Sequence, residues 1–188
     1  PAVHVPVDVQ ALRTAGKPTG KGLLEQIEGR YVGTDMEPLV TALRNAPELS
    51  SIRVVDTPRK GTKSSTLGAW IIPEGNEPGT LFLRKGASGE VALHELYHAV
   101  VQSRVFKNPE LVRELEGIRA EVRQVVGKMP DKRLASFYGN QFKKLSEFLA
   151  YASTSPEFRA WSRQQRVTPE GAIAEFPAAT TTLWDKVR

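Results

Sequence analysis

Ser88-Gly89-Glu90-Val91-Ala92-Leu93-His94-Glu95-Leu96-Tyr97-His98-Ala99-Val100-Val101 carries two patterns at once. Ala92, Leu93, Leu96, Ala99 and Val100 recur at helical spacing and mark a face that must be buried. His94 and His98 stand four residues apart on the other side, one above the other along a helix. Ser88 is a helix-capping residue, and Glu90 falls in the first turn, where the helix dipole favours an anion. The spacing predicts a buried central helix from about Gly89 to Arg104. Two histidines and an acid on the flank of such a helix need partners, because burying polar groups alone is costly.

Residues four apart on a helix can direct both imidazoles at one metal ion. Zinc accepts imidazole nitrogen at about 2.0–2.1 Å in a tetrahedral shell, and a catalytic zinc usually has three protein ligands and one water. Glu95, one residue past the first histidine, can stay off the metal and take a proton from the water there. The third ligand must come from elsewhere. Of the three histidines in the chain only His4 is left, in a Pro-flanked segment. Val101 and Arg104 stand where the extended HExxHxxGxxH pattern needs Gly and His, which argues against the metzincin class. Among the acids Glu147 stands out, because it interrupts the apolar run Leu145-Ser146-Glu147-Phe148-Leu149-Ala150. Its bland alternative is a partly exposed acid beside Lys143 or Lys144 at i−4 and i−3. Asp131 is the runner-up ligand. Tyr151 lies one turn past Glu147 and can offer a hydroxyl to an oxyanion; Tyr138 is the alternative for that role. Tyr97 lies to the side of the histidine pair and is expected to pack.

Outward from the motif helix, Ser51–Asp56, Leu67–Ile72 and Thr80–Arg84 read as three strands. The turn cluster of residues 73–79 makes the last two a hairpin with a wide loop. The first 30 residues read as loop-rich, with a short helix at Leu23–Ile27. Thr34 and Glu37 are spaced as a capping box for a helix to about Ala46. Beyond the motif, Asn108-Pro109-Glu110 opens a helix to about Gly127. A single helix is predicted over Leu134–Ser153, then a short one from Ser155-Pro156-Glu157 to about Arg163, and a last one at residues 180–188. The fold class is α+β: a small, mostly antiparallel sheet packed on the motif helix, with helices beyond it supplying Glu147 from the far side of a cleft.

The 188 residues suit one domain: residues 1–50 as a segment packed on the same domain as residues 51–188. With 40% hydrophobic and 25% charged residues the chain is an ordinary soluble globular protein. No apolar run reaches the ~20 residues of a membrane-spanning helix, so no membrane partner is expected. The absence of Cys excludes disulfides, iron–sulfur clusters and thiol nucleophiles. The net charge of +5 is spread over pairs such as Arg59-Lys60 and Lys143-Lys144, which makes nucleic acid the less favoured partner. The start at Pro1 and the unterminated last helix suggest a piece of a longer precursor.

His94, Glu95, His98 and Glu147 together resemble the site of gluzincin-type zincin metallopeptidases. More narrowly, Thr80–Leu83, Val91–Val101, the run SEFLAYASTSPEFRAW at 146–161 and Leu183-Trp184-Asp185-Lys186-Val187 resemble the metallopeptidase domains of large polyvalent proteins and polymorphic toxins of phages and mobile elements. The likeness covers residues 50–188. It implies a zincin-like fold, zinc on His94, His98 and Glu147, Glu95 as general base, and a protein or peptide substrate. That substrate is expected to lie extended beside Thr80–Arg84. Position 151 is Tyr where the better-known gluzincins carry Asp, so the acid behind the histidine ligands is open between Glu90 and Asp131. Two alternatives stand beside the peptidase: a zinc amidase acting on peptidoglycan, and a non-catalytic zincin-like module binding nucleic acid or a partner.

Overall fold

The computed structural model describes residues 6–72 and 78–164. His4, most of the predicted turn cluster and the predicted helix at 180–188 lie outside the described residues. The chain is α+β and divides into two compact units, Pro1–Val101 and Gln102–Arg188.

The first unit opens with α1 (Val9–Thr14) and α2 (Gly20–Ile27). Asp8 caps α1 by accepting from the Ala11 N–H at 2.9 Å, and Thr19 caps α2 by accepting from Gly22 at 3.2 Å. This segment is more helical than its glycines suggest. Gly22 is not a breaker but a close approach: a Cβ there would stand 2.3 Å from the Lys17 carbonyl oxygen. After a 3₁₀ turn at Glu28–Tyr31 comes α3 (Glu37–Arg44). The expected capping box is displaced by one position. Thr34 Oγ1 accepts from Met36 N–H at 3.2 Å, and Glu37 reaches back to Gly33 N–H at 2.9 Å. Leu23, Ile27 and Leu43 are fully buried.

Strands β1 (Arg53–Val55), β2 (Gly68–Ile71) and β3 (Thr80–Leu83) form one sheet in the order β1-β3-β2. β2 pairs antiparallel to β3, as the hairpin reading requires, but β1 pairs parallel to β3. The sheet is therefore mixed rather than mostly antiparallel. The 12 residues between β1 and β2 carry the chain past the central position, which β3 then fills. Central placement explains the near-continuous apolar run of β3, where Leu81, Phe82 and Leu83 are buried. It also overturns the expectation of a peptide beside Thr80–Arg84, because β3 is paired on both sides. Among the described residues the open edge of the hairpin is β2.

Helix α4 (Gly89–Val105) follows, with Ser88 Oγ accepting from Val91 N–H at 3.3 Å. Its residues Ala92, Leu93, Leu96, Ala99 and Val100 are buried. Near its start Tyr31 is buried, which pushes its phenol up to about 12; the nearby Glu90 carboxylate adds to the rise and Arg30 opposes it. The folded chain thus holds this proton more tightly than the unfolded chain. Stability is intact below pH 10 and falls as pH rises through the range from 10 to 12. Tyr31→Phe is expected to remove about 2–3 kcal/mol of that loss, read as the difference between urea melts at pH 9 and near pH 12.

The second unit contains α5 (Pro109–Val126), α6 (Lys132–Gln141), α7 (Leu145–Thr154) and α8 (Pro156–Gln164). Asn108 caps α5, accepting from Leu111 N–H at 3.1 Å. The single helix expected over Leu134–Ser153 is two helices. The chain breaks at Phe142–Lys144, where Lys144 is extended. The Arg119 guanidinium, from α5, donates to the Phe142 and Lys143 carbonyls at 2.8 and 3.1 Å, satisfying acceptors that the break releases. Phe142, Phe148 and Phe158 are fully buried, and Phe142 meets each of the other two edge to face with centroids 5.1 and 5.0 Å apart. No helix among the described residues is long and apolar enough to cross a membrane.

Candidate metal centre

Helix α4 sets His94 and His98 one turn apart, and the spacing does what the sequence asks of it. The two Nε2 atoms lie 3.1 Å apart, with the rings at 78° and their centroids 4.7 Å apart. His98 is buried and His94 half-buried. A tetrahedral shell with bonds near 2.05 Å separates neighbouring ligand atoms by about 3.3 Å, so the nitrogen spacing suits a shared ion.

Glu95 is half-buried, and its carboxylate accepts from the Trp70 backbone N–H of β2 at 2.8 Å. In an antiparallel pair, alternate residues turn their backbone groups toward the neighbour strand. Leu67 O accepts from Arg84 N–H, so the groups of Trp70 point away from β3, toward the open edge. The edge donor that reaches Glu95 is thus a main-chain group. Residue-type reasoning missed it; the available signal was the isolated Gly68 inside a strand pattern, which marks a close backbone approach.

Glu147 sits in the first turn of α7, half-buried among the buried Leu145, Phe148, Leu149 and Ala150. Because α7 starts at Leu145 and Lys144 is extended, Lys143 and Lys144 do not stand at helical i−4 and i−3 positions to it. Both lysines are exposed. Among the described residues, His94, His98 and Glu147 form one grouping of metal-ligating side chains, with a ligand atom of each within 4.8 Å of the others.

Asp131 is exposed and caps α6, accepting from Arg133 and Leu134 N–H at 2.8 and 3.1 Å. Glu90 lies in the first turn of α4, where its carboxylate is near the Tyr31 phenol. Tyr138 is buried, and its hydroxyl shares a 2.7 Å hydrogen bond with Ser155 Oγ. Burial holds its phenol above the usual range. Tyr151 is half-buried, with its ring edge-to-face on Phe137 and Tyr138 at 5.3 and 5.9 Å. Tyr138 is thus committed to a structural bond. Tyr97 is buried, as a packing residue should be.

Comparison with protein-family models, curated proteins and solved structures found no match to this chain.

Proposed function

We propose that the chain is a zinc-dependent peptidase of the zincin type, with a metal held by His94, His98 and Glu147. The observation that carries this reading is the convergence of two imidazole nitrogens and a carboxylate within 4.8 Å, with a further acid, Glu95, next to the first histidine. The donor set fits the ion, since nitrogen and carboxylate oxygen are the usual ligands of zinc. Two histidines and a carboxylate also serve non-haem iron. Glu95 favours hydrolysis, because a fixed base beside the ion is what a water nucleophile needs.

Zinc bound there would polarise the scissile carbonyl and bring the pKa of the attacking water down toward 7. Glu95 takes the proton of that water and returns it to the departing amine. Tyr151 is the candidate donor to the developing oxyanion. An extended peptide finds its backbone partners on the open edge of β2, at groups other than the Trp70 N–H that Glu95 holds, rather than on β3.

Metal removal tests the reading. The purified chain is expected to hold one zinc by elemental analysis and to cleave an unfolded protein. Chelation should abolish cleavage, and zinc should restore it. Zinc at 100 times its Kd should also stabilise the fold by about 2.7 kcal/mol, raising the melting temperature. Attack on purified sacculi with no cleavage of unfolded protein would replace the peptidase by an amidase of the same chemistry. A chain that takes up no zinc ends the proposal.

A further inference from the structure

We infer that Gly68 is a positioning residue for Glu95: having no side chain, it lets β2 approach α4 until the Trp70 amide holds the carboxylate. Two independent observations meet here. A Cβ on Gly68 would stand 2.7 Å from Val91 Cγ1, 2.9 Å from Glu95 Cγ and 3.2 Å from Leu83 Cδ2. Two residues along the same strand, the Trp70 N–H reaches Glu95 Oε2 at 2.8 Å. The first two contacts lie one helical turn apart on α4, so the missing side chain sets the distance between strand and helix directly at the acid. Side chains at 68 and 70 share one face of the strand. No residue larger than glycine fits at 68 without pushing the strand off the helix or turning the Glu95 side chain away. Glycine costs backbone entropy in a strand and packs nothing, so its use here answers to the close approach.

The catalytic consequence rests on the reading of Glu95 as the base; the structural claim does not. An amide that fixes one carboxylate oxygen leaves the other with a defined direction. A misplacement of about 1 Å costs on the order of 100-fold in rate.

The structural claim is read by ¹H–¹⁵N spectroscopy of the metal-free chain. Glu95→Ala should move the Trp70 amide proton upfield, because a hydrogen bond to a carboxylate is lost. Gly68→Ala should move it in the same direction. Val91→Ala relieves one of the three contacts and serves as the background if Gly68→Ala alone folds poorly. In that background the Trp70 amide should still shift, because Glu95 Cγ remains in the way. A Gly68→Ala chain whose Trp70 amide keeps its wild-type position overturns the inference. So does a Gly68→Ala/Val91→Ala chain that regains it, since Gly68 would then only make room for Val91.

The catalytic part is read by turnover. Gly68→Ala should lower kcat by about 10–100-fold with KM and zinc content unchanged. In the Glu95→Gln background it should cost nothing further, whereas a merely structural role would cost the same in both. If the wild-type chain cleaves nothing, the peptidase proposal fails while the amide shifts still decide the role of Gly68.

Discussion

Glu95→Gln is expected to leave one zinc on the chain and to lower kcat by about 10³–10⁴-fold, toward the upper end of what a positioned general base contributes. The direction follows from the chemistry of the side chain. Gln has nearly the same shape and keeps a carbonyl oxygen that can still accept from the Trp70 N–H, so the 2.8 Å bond and the strand beside it are retained. What is lost is the capacity to take and return a proton. Because Glu95 is asked to act twice, once on water and once on the amine, one substitution removes both transfers. The histidines proposed as ligands are untouched, so elemental analysis should give the wild-type zinc content. A variant that matches the wild type on every active substrate would show that Glu95 is not the base. A variant that loses zinc along with activity would assign Glu95 to the metal itself, against its position one residue past His94 and its bond to β2.

The motif helix was legible because everything that makes it is local. Ser88 caps it, the apolar residues repeat with its period, and the histidine spacing is a property of the helix alone. Glu147 was legible as a candidate for a related reason: an acid in an apolar stretch announces a cost that something must offset. The strand order was not. Parallel pairing of β1 with β3 depends on where a 12-residue connection leads, and no residue in β1 encodes it. The break between α6 and α7 was hidden in the same way. The carbonyls at Phe142 and Lys143 are met by Arg119, which lies 23 and 24 residues earlier. Locally, Leu134–Ser153 has no proline to end a helix, only Gly139 and Asn140 to weaken it. The partner of Glu95 was the hardest to see, because a backbone N–H has no residue type. Only Gly68 pointed to it, and an isolated glycine reads first as a defect of the strand.

Glu147→Ala is expected to weaken zinc binding on the order of 100-fold or more. Outer-shell groups that merely orient a ligand already cost 10–100-fold when removed, and a direct ligand costs at least the upper end of that range. The fold should survive. Glu147 is in the first turn of α7 and half-buried, so Ala there loses the favourable dipole interaction but leaves no cavity in the buried cluster of Phe142, Phe148 and Phe158. Asp131→Ala provides the contrast. Asp131 is the cap of α6, and its loss should cost about 1 kcal/mol of stability with zinc affinity unchanged. The two substitutions thus separate along different axes, one in a metal titration and the other in a melt. Reversal of that pattern, with Asp131→Ala losing zinc and Glu147→Ala keeping it, would move the third ligand to α6. If neither variant loses zinc, the ion rests on the two histidines with a donor other than these acids. A Glu147→Asp variant sharpens the result, because it keeps the charge and shortens the reach by one methylene. Partial recovery of affinity relative to Ala would show that the carboxylate itself, and not the helix dipole, is what the metal requires.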